Sequence, residues 1–231
     1  MFIYLVRHGE TPWNAEQRIL GATDIELSES GVRQSKALAE HLSDRPLRAV
    51  YSSDLKRAVQ TADALARPHG LAVQTRPGLR EMNQGVLEGL TFEDLRERHP
   101  EFLEAWKKEP SRITIPGGEC LADLQKRAWE TLRELADAHP RQTIAVVSHN
   151  LAIVAFLCRL LDLPLGRFRQ LRQGYTGINL IEYGRLGWAV HSMNVMAHLH
   201  GVDGYLDPTL RGPDDFYRED EPKWSPEGGS A

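Results

Sequence analysis

Short apolar runs alternate along the chain with longer segments in which apolar residues recur every three or four positions. The short runs predict buried β-strands at residues 2–6, 48–51, 71–73 and 143–147. The longer segments predict helices at residues 28–42, 54–66, 121–138 and 151–161. Strands that alternate with helices build a parallel sheet covered on both faces. The pattern therefore predicts an α/β fold with a mostly parallel central sheet.

A segment in the middle of the chain departs from this alternation. Residues 91–108 have helical spacing that Pro100 interrupts, and a loop rich in proline and glycine follows at residues 109–118. Loops that carry short helices often cover a binding site, because they lie outside the regular layers of a domain. We expect residues 91–119 to form a cap or lid.

The last part of the chain contains a strand pair and then a change of composition. Residues 177–183 and 188–195 predict two closing strands joined by a turn. From residue 201 onward the sequence is rich in proline, glycine and acidic residues, which is typical of an extended tail. The prediction is one domain over residues 1–200, followed by an acidic tail at residues 201–231.

Composition argues against several classes of function. The formal net charge is −4 and the sequence pI is about 6.1, so nothing indicates binding to nucleic acid or to an anionic membrane surface. Cys120 and Cys158 lie far apart without metal-ligand spacing, and we expect two buried free thiols. The apolar stretch at residues 151–163 is too short to span a bilayer, and the N-terminus lacks a signal-peptide pattern. We expect a soluble, cytoplasmic protein.

A short polar motif directly after the first strand is the first indication of chemistry. Arg7 and His8 come where the apolar run stops, and a parallel sheet carries its chemistry at the ends of its strands. Arg7 can hold two phosphoryl oxygens, and a neutral His8 offers a ring nitrogen as nucleophile. Gly9 would let the backbone pass close to a ligand. The motif indicates a phosphoenzyme formed on His8.

Two further polar residues occupy similar positions. Arg57 lies in the first turn of a predicted helix, where a cation opposes the helix dipole unless it faces a bound anion. His149 follows the apolar run at residues 143–147 and so repeats the position of His8. We expect both strand ends to converge on one pocket, where His149 would donate to phosphoryl oxygens.

A carboxyl group completes the predicted site. Glu81 lies in a loop with two glycines, and a nearby anionic phosphate would raise the pKa of Glu81, which suits a general acid. Glu88 in the same loop could compete for this role, although a carboxylate that braces the loop is the simpler interpretation. Asn14 could donate its amide to phosphate or cap a helix. Gly21 falls where the first loop should pass the substrate.

The chain resembles the histidine phosphatase superfamily, which includes the cofactor-dependent phosphoglycerate mutases and many small-molecule phosphatases. Four ordered elements carry the resemblance: Arg-His-Gly-Glu-Thr-x-x-Asn at residues 7–14, Ser-x-x-x-Arg-Ala-x-x-Thr at 53–61, Leu-x-Glu-x-x-x-Gly-x-x-Glu-Gly at 79–89, and the histidine at 149. The resemblance implies a three-layer α/β/α sandwich. It also implies that Glu81 donates the proton to the leaving oxygen and then activates water. The family commonly has glycine where this chain has Asn150, so the phosphate and substrate contacts at Asn150 are expected to differ.

The function implied is a metal-independent phosphomonoesterase that acts on small phosphorylated metabolites and needs no cofactor. A phosphoglycerate mutase is the alternative, although the mutases carry a longer insertion and further basic residues after the glutamate element. Lys107, Lys108 and Arg112 could still bind a substrate carboxylate. An alternative of another class is a non-catalytic protein that binds phosphorylated ligands. A homodimer is possible in each case.

Overall fold

The fold is built on one six-stranded sheet, which a computed structural model describes within residues 1–202. The strands are β1 (Phe2–Arg7), β2 (Leu47–Ser52), β3 (Val73–Thr75), β4 (Thr143–Ser148), β5 (Ile178–Gly184) and β6 (Gly187–Val195). Their order across the sheet is β3-β2-β4-β1-β5-β6. The first four of these strands are parallel, whereas β5 and β6 run antiparallel to their neighbours. The predicted mostly parallel sheet and the closing strand pair are both confirmed.

Helices cover both faces of this sheet. The α-helices of the described residues are α1 (Pro12–Ala15), α2 (Glu29–Leu42), α3 (Lys56–Ala66), α4 (Phe92–Arg98), α5 (Pro100–Lys108), α6 (Leu121–Ala138) and α7 (Asn150–Leu160). α2 and α3 pack in one apolar cluster, and α6 and α7 pack in another. Successive residues of β1 point to opposite clusters, as Leu5 and Val6 do, because side chains alternate across a strand. The predicted three-layer α/β/α sandwich is confirmed.

The segment at residues 91–108 forms two helices, as its spacing predicts. α4 ends before His99, and Pro100 begins α5, where its missing N–H costs no helical hydrogen bond. Leu95 and Leu103 from these helices pack in a third apolar cluster that also contains residues of α7. The two helices are therefore anchored to the domain by burial of apolar side chains.

One predicted strand lies two residues later in the structure. Residues 71–73 were expected to pair, but β3 runs from Val73 to Thr75. The backbone N–H of Leu71 instead donates to the carbonyl of Ala66, the last residue of α3. Leu71 thus closes the helix end before pairing with β2 begins at Val73.

The remaining expectations about the chain have different outcomes. Cys158 is buried as expected, whereas Cys120 is partly exposed because it caps the N-terminus of α6. The acidic tail at residues 201–231 lies, apart from its first two residues, outside the described part of the chain. Within residues 1–202, no helix is both long and apolar enough to cross a membrane.

Candidate active site

Two adjacent strand ends bring His8 and His149 together. β1 and β4 pair in parallel with Arg7 opposite Ser148, so the residue that follows each strand lies at the same edge of the sheet. The backbone N–H of His8 donates to the carbonyl of Ser148 at 3.0 Å. The two imidazole rings are buried, and their centroids are 5.0 Å apart. The predicted convergence of the two histidines therefore holds in the structure.

The hydrogen bond of His8 defines which ring nitrogen can react. Nδ1 lies 2.6 Å from the carbonyl oxygen of Gly9, and a carbonyl can only accept, so Nδ1 carries the proton of the neutral ring. Nε2 is then the basic nitrogen. Burial, followed by the nearby cations of Arg57 and Arg7, holds the pKa of His8 well below its ordinary value. The ring is consequently neutral at pH 7, as a nucleophile must be.

Arg57 is a fully buried cation beside these rings. Its Nη1 donates to the carbonyl of Thr23 at 2.9 Å and its Nη2 to the carbonyl of Gly21 at 2.7 Å. Burial lowers the pKa of Arg57 to about 10, which still leaves it charged at neutral pH. The carbonyls compensate for part of the lost hydration, whereas Nε is buried and has no hydrogen-bond partner within the described residues.

Arg7 is held by a loop that comes much later in the sequence, just before β5. Its Nη1 donates to the carbonyl of Gln173 at 2.6 Å, and its guanidinium carbon lies 4.2 Å from the centroid of the Tyr175 ring. The Nε of Arg7 is buried without a partner in the part of the chain that the structure describes. The sequence gives no signal for Gln173 or Tyr175, because one acts through its backbone and the other through a ring face.

His149 contributes two more unpaired polar atoms. It directly precedes α7, and both of its ring nitrogens are buried without a hydrogen-bond partner among residues 1–202. Burial, followed by the charge of Arg57, holds the pKa of His149 well below its ordinary value. Buried polar atoms are normally paired, so a cluster of orphaned nitrogens on Arg7, Arg57 and His149 requires an explanation. An anion with several oxygens, such as a phosphoryl group, would satisfy it.

Glu81 lies at the N-terminus of α7. Its carboxylate accepts hydrogen bonds from the backbone N–H groups of Met82 at 2.8 Å, Leu151 at 3.1 Å and Ala152 at 3.3 Å. Burial raises the pKa of Glu81 above its ordinary value, although the N–H groups of Met82 and Leu151 and then the charges of Arg57 and Arg7 oppose the rise. A buried carboxyl with a raised pKa can hold a proton closer to neutral pH, which a general acid requires.

Glu88 has a different task from Glu81. It accepts hydrogen bonds from the backbone N–H groups of Ala22 and Thr23, both at 2.7 Å, and from the hydroxyl of Thr23. These contacts hold the loop whose carbonyls orient Arg57. The interpretation of Glu88 as a bracing carboxylate is therefore confirmed.

Two glycines are required by close packing. A Cβ on Gly21 would lie 2.6 Å from the carbonyl oxygen of Met82, and a Cβ on Gly9 would lie 2.6 Å from that of Gly31 in α2. Gly9 thus allows the backbone after β1 to pass close to α2, and its approach to a ligand stays a prediction. Gly21 contributes its carbonyl to Arg57, and a contact between Gly21 and substrate stays a prediction.

Two asparagines were also predicted to contact phosphate or substrate: Asn14, the last residue of the first motif, and Asn150, which follows His149. The Oδ1 of Asn14 accepts from the backbone N–H of Thr11 at 3.1 Å and from its hydroxyl at 2.9 Å, so it caps α1. A contact with phosphate would then come from its amide nitrogen. Asn150 is the half-buried first residue of α7, and its predicted substrate contact remains open. Over residues 1–202, no cluster of three or more His, Cys, Asp or Glu side chains could hold a metal ion.

The titration of the buried histidines predicts a loss of stability in mild acid. His8, His149 and His198 have a pKa below the ordinary value of 6.5, and that of His198 is about 4 because of burial and then the charge of His41. Below pH 6.5 the unfolded chain binds protons that the folded chain does not, so the free energy of unfolding falls as the pH falls. The raised pKa of Glu81 acts with the opposite sign, but it is one group against three.

Urea unfolding at several pH values from about 7.5 down to about 5 would measure this dependence. The variant His198→Gln should show a shallower dependence than the unchanged protein, because one of the three imidazoles no longer titrates. A free energy of unfolding that stays constant or rises as the pH falls would contradict the prediction.

Comparison with known proteins identifies the family to which the chain belongs. A profile of the histidine phosphatase superfamily (branch 1) matches residues 3–196. The chain is 34% identical over 197 residues to phosphoserine phosphatase 1 of Hydrogenobacter thermophilus, covering 85% of this chain and 93% of that protein. It is 36% identical over 206 residues to the probable phosphoglycerate mutase GpmB of Yersinia pestis, covering 85% and 94%.

A solved structure agrees with these matches. The structure of a mycobacterial glucosyl-3-phosphoglycerate phosphatase superimposes with a TM-score of 0.77 at 30% identity, and the match covers 84% of this chain and 99% of that one. The family profile spans every element of the described site, from Arg7 to His149. This chain belongs to the histidine phosphatase superfamily, branch 1.

Proposed function

We propose that this chain is a small-molecule phosphomonoesterase that works through a phosphohistidine on His8. The observation that carries the proposal is the cluster of buried nitrogens on Arg7, Arg57 and His149 around the imidazole of His8, which have no hydrogen-bond partner among residues 1–202. Membership of the histidine phosphatase superfamily and relatives named as phosphatases support the same activity. Because such relatives act on phosphorylated metabolites, we also propose a cytoplasmic location.

The first half of the reaction transfers the phosphoryl group to the protein. The Nε2 of His8 attacks phosphorus in line with the ester oxygen, a bond between nitrogen and phosphorus forms, and the bond to the ester oxygen breaks. Glu81 gives its proton to the departing oxygen, so the product alcohol leaves neutral. Arg7, Arg57 and His149, with the amide of Asn14, hold the other phosphoryl oxygens. Glu81 ends this step as a carboxylate.

The second half returns the protein to its starting state. The carboxylate of Glu81 takes a proton from a water molecule as that water attacks the phosphorus of phosphohistidine. The bond between nitrogen and phosphorus breaks, inorganic phosphate is released, and His8 is again a neutral imidazole. Glu81 is protonated once more and ready for the next ester.

Two guanidiniums, the buried one of Arg57 and the half-buried one of Arg7, supply the charge that this chemistry needs. Charge spread over the phosphoryl oxygens in the transition state is stabilised most by donors that are already fixed in place. Arg57 is fixed by Gly21 and Thr23, and Arg7 is fixed by Gln173 and Tyr175. This arrangement supports catalysis without a metal ion or other cofactor.

A phosphoglycerate mutase is the second candidate, because relatives at 36% identity are named as probable phosphoglycerate mutases. A mutase must bind a second anionic group of its substrate, and the cap offers Lys107 and Arg112 for it. Lys107 lies 3.0 Å from Glu104 and Arg112 lies 3.4 Å from Glu109, so acidic neighbours already offset both cations. These contacts favour hydrolysis, although exposed ion pairs are weak and can exchange partners.

Phosphorus NMR separates the two activities. The purified protein is mixed with 3-phosphoglycerate, a trace of 2,3-bisphosphoglycerate and EDTA, and a parallel sample contains phosphoserine and EDTA. We expect inorganic phosphate to accumulate in the chelated samples without 2-phosphoglycerate. Rapid formation of 2-phosphoglycerate would instead establish a mutase. Ester binding with no product in any sample would establish a non-catalytic binding protein.

A further inference from the structure

Arg127 in the middle of α6 uses all of its side-chain N–H groups in one place. Nε and Nη2 donate to the carboxylate of Glu119 at 2.7 and 2.8 Å. Nη1 donates to the carbonyls of Gly78 at 3.1 Å and Arg80 at 2.7 Å, and Nη2 also donates to the carbonyl of Glu81 at 2.8 Å. We call this set of contacts the Arg127 clasp. It joins α6 to the loop that carries the proposed proton donor.

The geometry of the clasp distinguishes it from an ordinary surface ion pair. The Arg127 and Glu119 side chains are only 26% and 18% exposed, whereas exposed pairs contribute little to stability. A planar guanidinium with fixed N–H directions can serve a carboxylate and three carbonyls at once, and a lysine ammonium cannot. The contacts therefore specify the path of the backbone between Gly78 and Glu81.

Glu81 is held from two directions as a result. Its carbonyl binds Arg127 of α6, while its carboxylate binds the N–H groups of Leu151 and Ala152 at the start of α7. α6 and α7 pack against each other in the same apolar cluster. A shift of the Glu81 backbone would consequently move its carboxyl group relative to α7, to His149 and to His8.

Glu119 extends the clasp to the cap. It is the last residue of the predicted cap segment, and its backbone N–H donates to the carbonyl of Asn83 at 3.0 Å. Its own carbonyl accepts from Ile115 at 3.3 Å. The end of the cap loop and the loop that carries Glu81 therefore meet at Glu119.

We propose that Arg127 is a positioning residue, which sets the carboxyl group of Glu81 for proton transfer by holding its backbone. The inference rests on the proposed function, since it requires Glu81 to be the general acid. Transfer of a proton depends steeply on position, and a displacement of about 1 Å can cost about 10²-fold in rate. Loss of the clasp should thus impair the esters that depend on protonation of the leaving group.

The test compares two esters in the variant Arg127→Lys. We expect kcat/KM to fall by about tenfold or more for an alkyl phosphate, but by less than about threefold for p-nitrophenyl phosphate, whose leaving group needs little protonation. Arg133→Lys on the same helix is the matched control. Its side chain is 62% exposed and pairs with Asp137 at 3.8 Å, so neither ester should be affected.

The outcomes of this test are distinct. Equal losses on both esters in Arg127→Lys, or no loss on either, would overturn the positioning role and leave Arg127 a structural residue. If that variant does not fold, Glu119→Gln provides the second test, because it weakens the clasp while Arg127 keeps its carbonyl partners. It should show the same selective loss to a smaller extent, and an absence of selectivity would overturn the inference.

Glu81→Ala, measured in parallel, separates this inference from the function on which it rests. Selective loss in Glu81→Ala without selective loss in Arg127→Lys would reject only the positioning role. An absence of selectivity in Glu81→Ala would reject Glu81 as the general acid and therefore the acid step of the proposed function.

Discussion

Replacement of His8 by alanine is expected to reduce turnover of every phosphate ester by at least about 10⁴-fold, because no other group can take its place as the nucleophile. The Nδ1 of His8 donates to the carbonyl of Gly9, which leaves Nε2 as the basic nitrogen that attacks phosphorus. Steady-state hydrolysis of p-nitrophenyl phosphate measures the loss. Rapid quenching with labelled substrate should detect an acid-labile phosphoprotein in the unchanged chain and none in His8→Ala.

Two comparisons make the His8 result interpretable. His8→Ala should still bind inorganic phosphate, since Arg7, Arg57 and His149 remain. Phosphate binding by this variant would show that the pocket is intact. His191→Ala serves as a histidine control, because His191 is exposed and pairs with Glu182 on β5. Substantial turnover by His8→Ala would refute the covalent mechanism, whereas a phosphoprotein that persists in this variant would place the covalent bond elsewhere.

Glu81→Ala is expected to show the second largest effect, with a strong dependence on the leaving group. General acid catalysis contributes about 10² to 10⁴ in rate, so kcat/KM for an alkyl phosphate should fall within that range. The value for p-nitrophenyl phosphate should fall far less, because nitrophenolate leaves without a proton. kcat/KM is the relevant constant, since it covers the steps up to phosphoenzyme formation.

The second half of the reaction gives an independent test of Glu81. Without a base to activate water, hydrolysis of the phosphoenzyme becomes slow, and phosphohistidine should accumulate in Glu81→Ala during turnover of the nitrophenyl ester. Glu88→Ala offers a contrast, because Glu88 braces the loop at Ala22 and Thr23 and should affect both esters alike. If Glu88→Ala shows the leaving-group dependence and Glu81→Ala does not, the two carboxylates have been assigned in reverse.

Sequence patterns predict most of the fold because each reports burial directly. The continuous apolar run of β4 is predicted well, since residues 144–147 are all buried between two helical layers. Ser28 marks the start of α2 because its hydroxyl caps the N–H of Gly31. β3 is placed less accurately, since Leu71 is apolar but its N–H is used by the end of α3.

Some residues of the site can be predicted from the sequence, and others are found only in the folded structure. Arg7, His8 and His149 are found because charged or titratable side chains stand out at the ends of buried strands. Arg57 is found because a cation in the first turn of a helix opposes the helix dipole. Tyr175 and Arg127 are not found, because their roles depend on a ring face and on carbonyl groups that every residue possesses. Only the folded chain shows which of many arginines meets those carbonyls.

The position of β1 in the sheet has a consequence for how the protein is made. β1 is synthesised well before its neighbours in the sheet, because β4 and β5 begin at Thr143 and Ile178, and the amino group of Met1 donates to the carbonyl of Tyr183. The strand that precedes the nucleophile therefore has neither of its sheet neighbours until most of the domain has been synthesised. Pairing between strands so far apart in sequence slows folding. We therefore expect a chain truncated before Thr143 to be inactive, because His8 and His149 meet only after β1 pairs with β4.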